Sequence, residues 1–169
     1  MTVTRPRAER GAFPPGTEHY GRPLLGAPLI WFPAPAASRE SGLILAGTHG
    51  DENSSVVTLS CALRTLTPSL RRHHVVLCVN PDGCQLGLRA NANGVDLNRN
   101  FPAANWKEGE TVYRWNSAAE ERDVALLTGD KPGSEPETQA LCQLIHRIQP
   151  AWVVSFHDPL ACIEDPRHS

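Results

Sequence analysis

A chain of 169 residues, 40% hydrophobic and 20% charged, is long enough for one domain with a sizeable core. Its formal net charge of −2 offers no global attraction to nucleic acid or to an anionic membrane, and no apolar run approaches the roughly 20 residues of a membrane span. The opening MTVTRPRAERGAFPPG lacks the apolar core of a secretory signal, so the cytoplasm is the expected compartment.

In chain order, residues 1–22 read as an irregular arm and 23–169 as a single domain. PLIWFP (28–33) and GLILAG (42–47) are short apolar runs bounded by Pro, Gly and Ser, hence strands, and the APAASRESG stretch between them could close a hairpin. From Glu52, the residues Val56, Leu59, Ser60, Leu63 and Leu66 keep helical spacing until Pro68. HVVLCVN (74–80) is a buried-type strand closed by an Asn80-Pro81-Asp82-Gly83 turn. Residues 102–133 are polar and irregular and read as a long loop. Ser134 and Glu137 offer a capping box for a helix whose stripe is Leu141, Leu144, Ile145 and Ile148. AWVVSF (151–156) is a last strand. Strands alternating with helices imply parallel pairing, an α/β domain.

The five cysteines are odd in number and form no C-x-x-C pair, as expected of a reducing compartment. Cys61, Cys78 and Cys142 lie in apolar stretches and read as small buried hydrophobes.

Open α/β sheets form their sites outside the carboxyl ends of the strands. His49 and Glu52 follow one strand and His157 follows another. Two imidazoles and a carboxylate are a catalytic zinc set that leaves a position for water. H-E-x-x-H is absent, and H-x-x-E alone is a weak signal. A second cluster, GVDLNRNF (94–101), adds Asp96, Asn98, Arg99 and Asn100.

The ordered set GTHGDE, NPDG, R-x-N-x-x-GVDLNRNF, SEPET and SFHDP, from about Gly42 to Asp158, resembles the zinc carboxypeptidase family. The resemblance implies a mixed, mainly parallel sheet flanked by helices, and one Zn2+ per chain held by His49, Glu52 and His157. It implies that Asp96 accepts the second ring N–H of His49, that Arg89 stabilises the oxyanion, and that Asn98 and Arg99 hold a substrate carboxylate. The motif wording is nearest to the branch acting on murein peptides. That branch hydrolyses the γ-D-glutamyl–meso-diaminopimelate amide of the murein tripeptide L-Ala-γ-D-Glu-meso-diaminopimelate during cell-wall recycling. Neither a nucleic acid nor a membrane is an expected partner; a homodimer is left open.

Relatives in this family carry a general-base glutamate on a strand well beyond the third ligand. Glu164, seven residues past His157, does not match that position. The chain is therefore expected to lack the C-terminal strands and to be of doubtful activity. Two other readings stand beside the amidase: an inactive zinc- or peptide-binding remnant, and a deacylase of N-acyl amino acids. His73 and His74 are expected at a solvated strand entry, His146 on an exposed helix face, and His168 in a frayed terminus. Turn chemistry suffices for Asp51 and Asp158, while Trp106, Tyr113 and Trp115 could line a pocket or anchor the loop.

Overall fold

The structure, a computed structural model, describes residues 4–13, 16–114 and 123–158. Trp115, Cys162, Glu164 and His168 lie outside the described residues. The central sheet has three parallel strands in the order β4-β3-β7: β3 (Leu43–Leu45) pairs with β4 (His74–Val76) on one side and β7 (Val153–Ser155) on the other. Helix α1 (Asn53–Thr65) packs on one face and α3 (Pro136–Ile148) on the other. Strand alternation sorts the core. Leu43 and Leu45 meet Leu141 and Leu144 of α3, whereas Ala46 and Val75 meet Leu59 and Leu63 of α1. This is the α/β architecture expected. β7 forms one edge, with Trp152, Val153, Val154 and Phe156 between 39% and 45% exposed.

Several local expectations are corrected. The arm expected to be irregular holds a 3-10 turn at Arg7–Glu9 and strand β1 (Glu18–Gly21), and the Arg5 amide donates to Thr65 O. Strand β2 (Leu29–Trp31) forms no hairpin with β3; it pairs antiparallel with β1. Phe32 exchanges backbone hydrogen bonds with Val75, which carries the chain to the far side of β4. The Asn80-Pro81-Asp82-Gly83 turn starts the short helix α2 (Pro81–Leu86), with Pro81 at its first position and the Asn80 side chain accepting from Gly83 N. The capping box does not form: Ser134 Oγ donates to Glu135 Oε1, and no side chain caps α3. His74 is buried and its Nδ1 accepts from Ala34 N, while His73 Nδ1 accepts from Gly42 N and its ring lies 4.7 Å from that of Trp152. Cys61 is exposed and Cys78 and Cys142 are half-buried, so none of the three is a fully buried hydrophobe.

The largest correction concerns residues 102–133. Among them, β5 (Glu110–Arg114) and β6 (Asp123–Leu127) pair as an antiparallel ribbon. Leu127 of that ribbon bonds to Gly94 and Asp96 through its backbone, and so buttresses the segment that carries Asp96.

The motifs around Asn91 and Glu135 are scaffolding. Asn91 Nδ2 donates to both Glu135 Oε2 (2.7 Å) and Glu137 Oε2 (3.2 Å), and Asn100 Nδ2 donates to Thr128 O and Ser134 Oγ. Glu137 is fully buried and its Oε1 has no partner. Burial pushes its carboxyl above the usual range, and the Glu135 and Asp82 charges add to this, outweighing its hydrogen bonds. A carboxyl raised in the folded state contributes fully below its unfolded pKa of about 4.3 and loses that contribution as pH rises through the folded value. Glu137→Gln is therefore expected to flatten the fall of the melting temperature as pH rises above about 4.3, read by thermal melts across a pH series. Parallel slopes for the two proteins would contradict the assignment.

Candidate metal centre

The chain leaves β3 toward β4 on one side and returns in β7 on the other, so the strand order switches between β3 and β7, and it is at the carboxyl edge of such a switch point that open α/β sheets place their sites. Leu45 is level with Ser155, so His49 and His157 both lie just past that edge. Glu52 is the residue before α1 and reaches the same point. His49 Nδ1 lies 2.7 Å from Glu52 Oε1 and 3.2 Å from His157 Nδ1, and His157 Nδ1 lies 2.9 Å from Glu52 Oε2. One donor atom from each residue falls within 4.8 Å of the others. His49 and Glu52 are buried, and His157 is half-buried on the open side.

Asp96 sits behind His49. Its Oδ1 is 3.1 Å from His49 Nε2 and accepts from the Asn98 amide. A proton held on Nε2 leaves the Nδ1 lone pair aimed at the shared point. Burial alone would lower the His49 pKa, but the hydrogen bonds to Asp96 and Glu52 raise it above the ordinary histidine value. Burial would raise Glu52 and Asp96. The hydrogen bonds from His157 and His49 instead hold Glu52 far below the carboxylate range, and His49 lowers Asp96. Two carboxylates converging on one imidazole make a site that favours a cation. Two imidazole nitrogens and a carboxylate, which leave a fourth position free for water, fit zinc.

Arg89 lies beside these groups. Its Nη1 donates to Glu52 Oε1 at 2.9 Å, and its guanidinium carbon stands 4.4 Å above the Tyr113 ring. Tyr113 OH donates to Asp51 Oδ2 at 2.6 Å. Asn98 and Arg99, on a 3-10 turn capped by Asp96, are exposed next to the centre. All seven residues singled out from the sequence thus gather at one edge. Two supports had no decisive signal. Asp158 accepts from Ser55 N and Ser54 Oγ and so fastens His157 to the start of α1. The Tyr113–Asp51 link under Arg89 exists only because the ribbon folds over the site.

A parallel sheet with this donor set at its carboxyl edge defines an α/β protein with a His-Glu-His group that could hold a metal ion. The chain belongs to the zinc carboxypeptidase family, whose model matches residues 16–159. It is 99% identical over all 169 residues to murein peptide amidase A of Escherichia coli (strain K12), covering 70% of that protein. It is 57% identical over 164 residues to murein peptide amidase A of Vibrio campbellii (strain ATCC BAA-1116), where 97% of this chain matches 66% of that one. The crystal structure of a murein-tripeptide amidase from Escherichia coli O157 superposes with a TM-score of 0.95 at 99% identity, over 100% of this chain and 71% of that one. A bovine thrombin-activatable fibrinolysis inhibitor, 20% identical with a TM-score of 0.59 over 85% of this chain and 53% of that one, shares the fold. No helix among the described residues is long and apolar enough to cross a membrane.

Proposed function

We propose that this chain hydrolyses the γ-D-glutamyl–meso-diaminopimelate amide bond of murein tripeptide, in the cytoplasm, as a step of cell-wall recycling. The observation that carries the reading is the convergence of His49, Glu52 and His157 in a chain 99% identical to a murein peptide amidase A. These three residues would hold one zinc ion per chain. Bound zinc polarises a carbonyl oxygen and acidifies water. Asp96 fixes the ring of His49. Arg89, a half-buried cation stacked on Tyr113 and paired with Glu52, would stabilise negative charge developing on the carbonyl oxygen. Asn98 and Arg99 face solvent beside the centre and suit the diaminopimelate carboxylate, which a guanidinium can bind with two parallel hydrogen bonds.

The test is release of diaminopimelate from synthetic tripeptide by the zinc-loaded chain, followed by mass spectrometry. Release would support the reading, and Arg99→Ala would then raise KM by about 10- to 100-fold, the value of one charge-assisted contact. Binding of tripeptide without release would favour the second reading, a zinc- and peptide-binding chain without turnover. The exposed apolar side chains of β7, in a chain spanning 70% of its relative, are what speak for that alternative. Cleavage of an N-acyl amino acid but not of tripeptide would point instead to the deacylase.

A further inference from the structure

Behind the His49 turn, away from the donor atoms, two cysteines face each other. Cys78 follows β4 and Cys84 lies within α2, and their sulfurs are 3.3 Å apart with both thiols free. The pair is locked in place from several sides. Cys78 Sγ points at Gly47 O, and the Asn80 amide donates to that same carbonyl at 2.8 Å. Gly47 has φ +62 and packs on Cys78, while Gly50 packs on the Gly83 and Cys84 backbone. The cysteines therefore bracket the four-residue turn that delivers His49. Neither belongs to the metal site, and no other pair of the described cysteines makes such a contact.

We propose that Cys78 and Cys84 are a redox pair that closes into an intramolecular disulfide by exchange with a small-molecule disulfide, tethering the end of β4 to α2 behind the metal turn. A disulfide needs the sulfurs to approach by about 1.2 Å. The order of attack follows from the environment. The hydrogen bond from Cys78 lowers the Cys84 thiol pKa, whereas that same bond and burial push Cys78 up. Cys84, the thiol whose pKa that bond lowers, attacks first. Its thiolate displaces one thiolate from the small disulfide and forms a mixed disulfide. Cys78 then gives up its proton and attacks Cys84 Sγ, expelling the second thiolate. Two protein thiols are oxidised, one external disulfide is reduced to two thiols, and the two protons lost by the cysteines are taken up by the leaving thiolates.

No lysine or arginine lies between Arg72 and Arg89, so one tryptic peptide, 73–89, carries both cysteines. The zinc-loaded chain is incubated with oxidised glutathione, quenched in acid, denatured, alkylated with iodoacetamide without reductant and digested. The expected result is peptide 73–89 lighter by two hydrogens and free of alkyl groups, while the peptides carrying Cys61 and Cys142 do not acquire this internal link. Cys78→Ser is expected to stop at a glutathione adduct on Cys84. A persistent glutathione adduct on Cys84 in the unsubstituted chain, or two alkylated cysteines in peptide 73–89, would overturn the proposal.

Discussion

His49→Ala is expected to weaken zinc binding by more than about 100-fold, since the loss of groups that only orient ligands already costs about 10- to 100-fold. His49 is the hinge of the site. Its Nδ1 faces Glu52 and His157, while its Nε2 faces Asp96. Removing the ring takes away a ligand and leaves the buried Asp96 carboxylate with the Asn98 amide and an Arg89 contact at 3.9 Å. Removing the hydrogen-bond partner of a buried carboxylate costs about 1.5–3 kcal/mol, and that is the loss expected here. Urea unfolding in the presence of chelator reads the stability change, and competition against a zinc-binding dye reads the affinity. Unchanged zinc affinity would remove His49 from the ligand set.

The second large effect is expected from a residue with no functional group. A methyl group added at Gly50 would fall well inside 3.0 Å of Gly83 C, Cys84 N and Leu88 O. All three are backbone atoms, so no side-chain rotation relieves the clash, and either α2 or the His49 turn must shift. Gly50→Ala is expected to cost about 3 kcal/mol or more, the upper end of overpacking effects. Gly94→Ala is the comparison: its φ is +76 but nothing lies within 4 Å, so only backbone strain remains, about 1 kcal/mol. Chemical denaturation of the two variants checks the ranking. Equal losses would mean that the approach of Gly50 to α2 carries no weight.

The elements that obey one period were legible in the sequence. Helices α1 and α3 show in their apolar spacing because each buries one stripe against the sheet. The three parallel strands show as short apolar runs because the central one is covered on both faces. The metal set was legible for a related reason: the carboxyl edge of a parallel sheet is where reactive side chains can gather, and His49, Glu52 and His157 stand just beyond it. What stayed hidden depends on contacts distant in sequence. The β5–β6 ribbon reads as loop because Val112 and Leu127 remain exposed and its backbone pairs across residues 115–122. His74 reads as solvated entry because nothing nearby in sequence announces that Ala34, forty residues earlier, will donate to its ring. The capping box failed through competition, with Glu135 taking the Ser134 hydroxyl one residue away. Helix α2 reads as a turn because Asn-Pro-Asp-Gly satisfies both descriptions, and only the Asn80 bonds to Gly83 and Ala90 choose the helix.

Zinc stoichiometry tests the central claim most directly. The purified chain is titrated with Zn2+ by calorimetry, and its thermal melt is recorded with and without chelator. One zinc per chain, with a cooperative melt that falls on chelation and no such binding in a His49→Ala, His157→Ala double variant, is the predicted result. No zinc uptake by a chain that melts cooperatively would contradict it, because the convergence of His49, Glu52 and His157 would then be packing and not a metal centre.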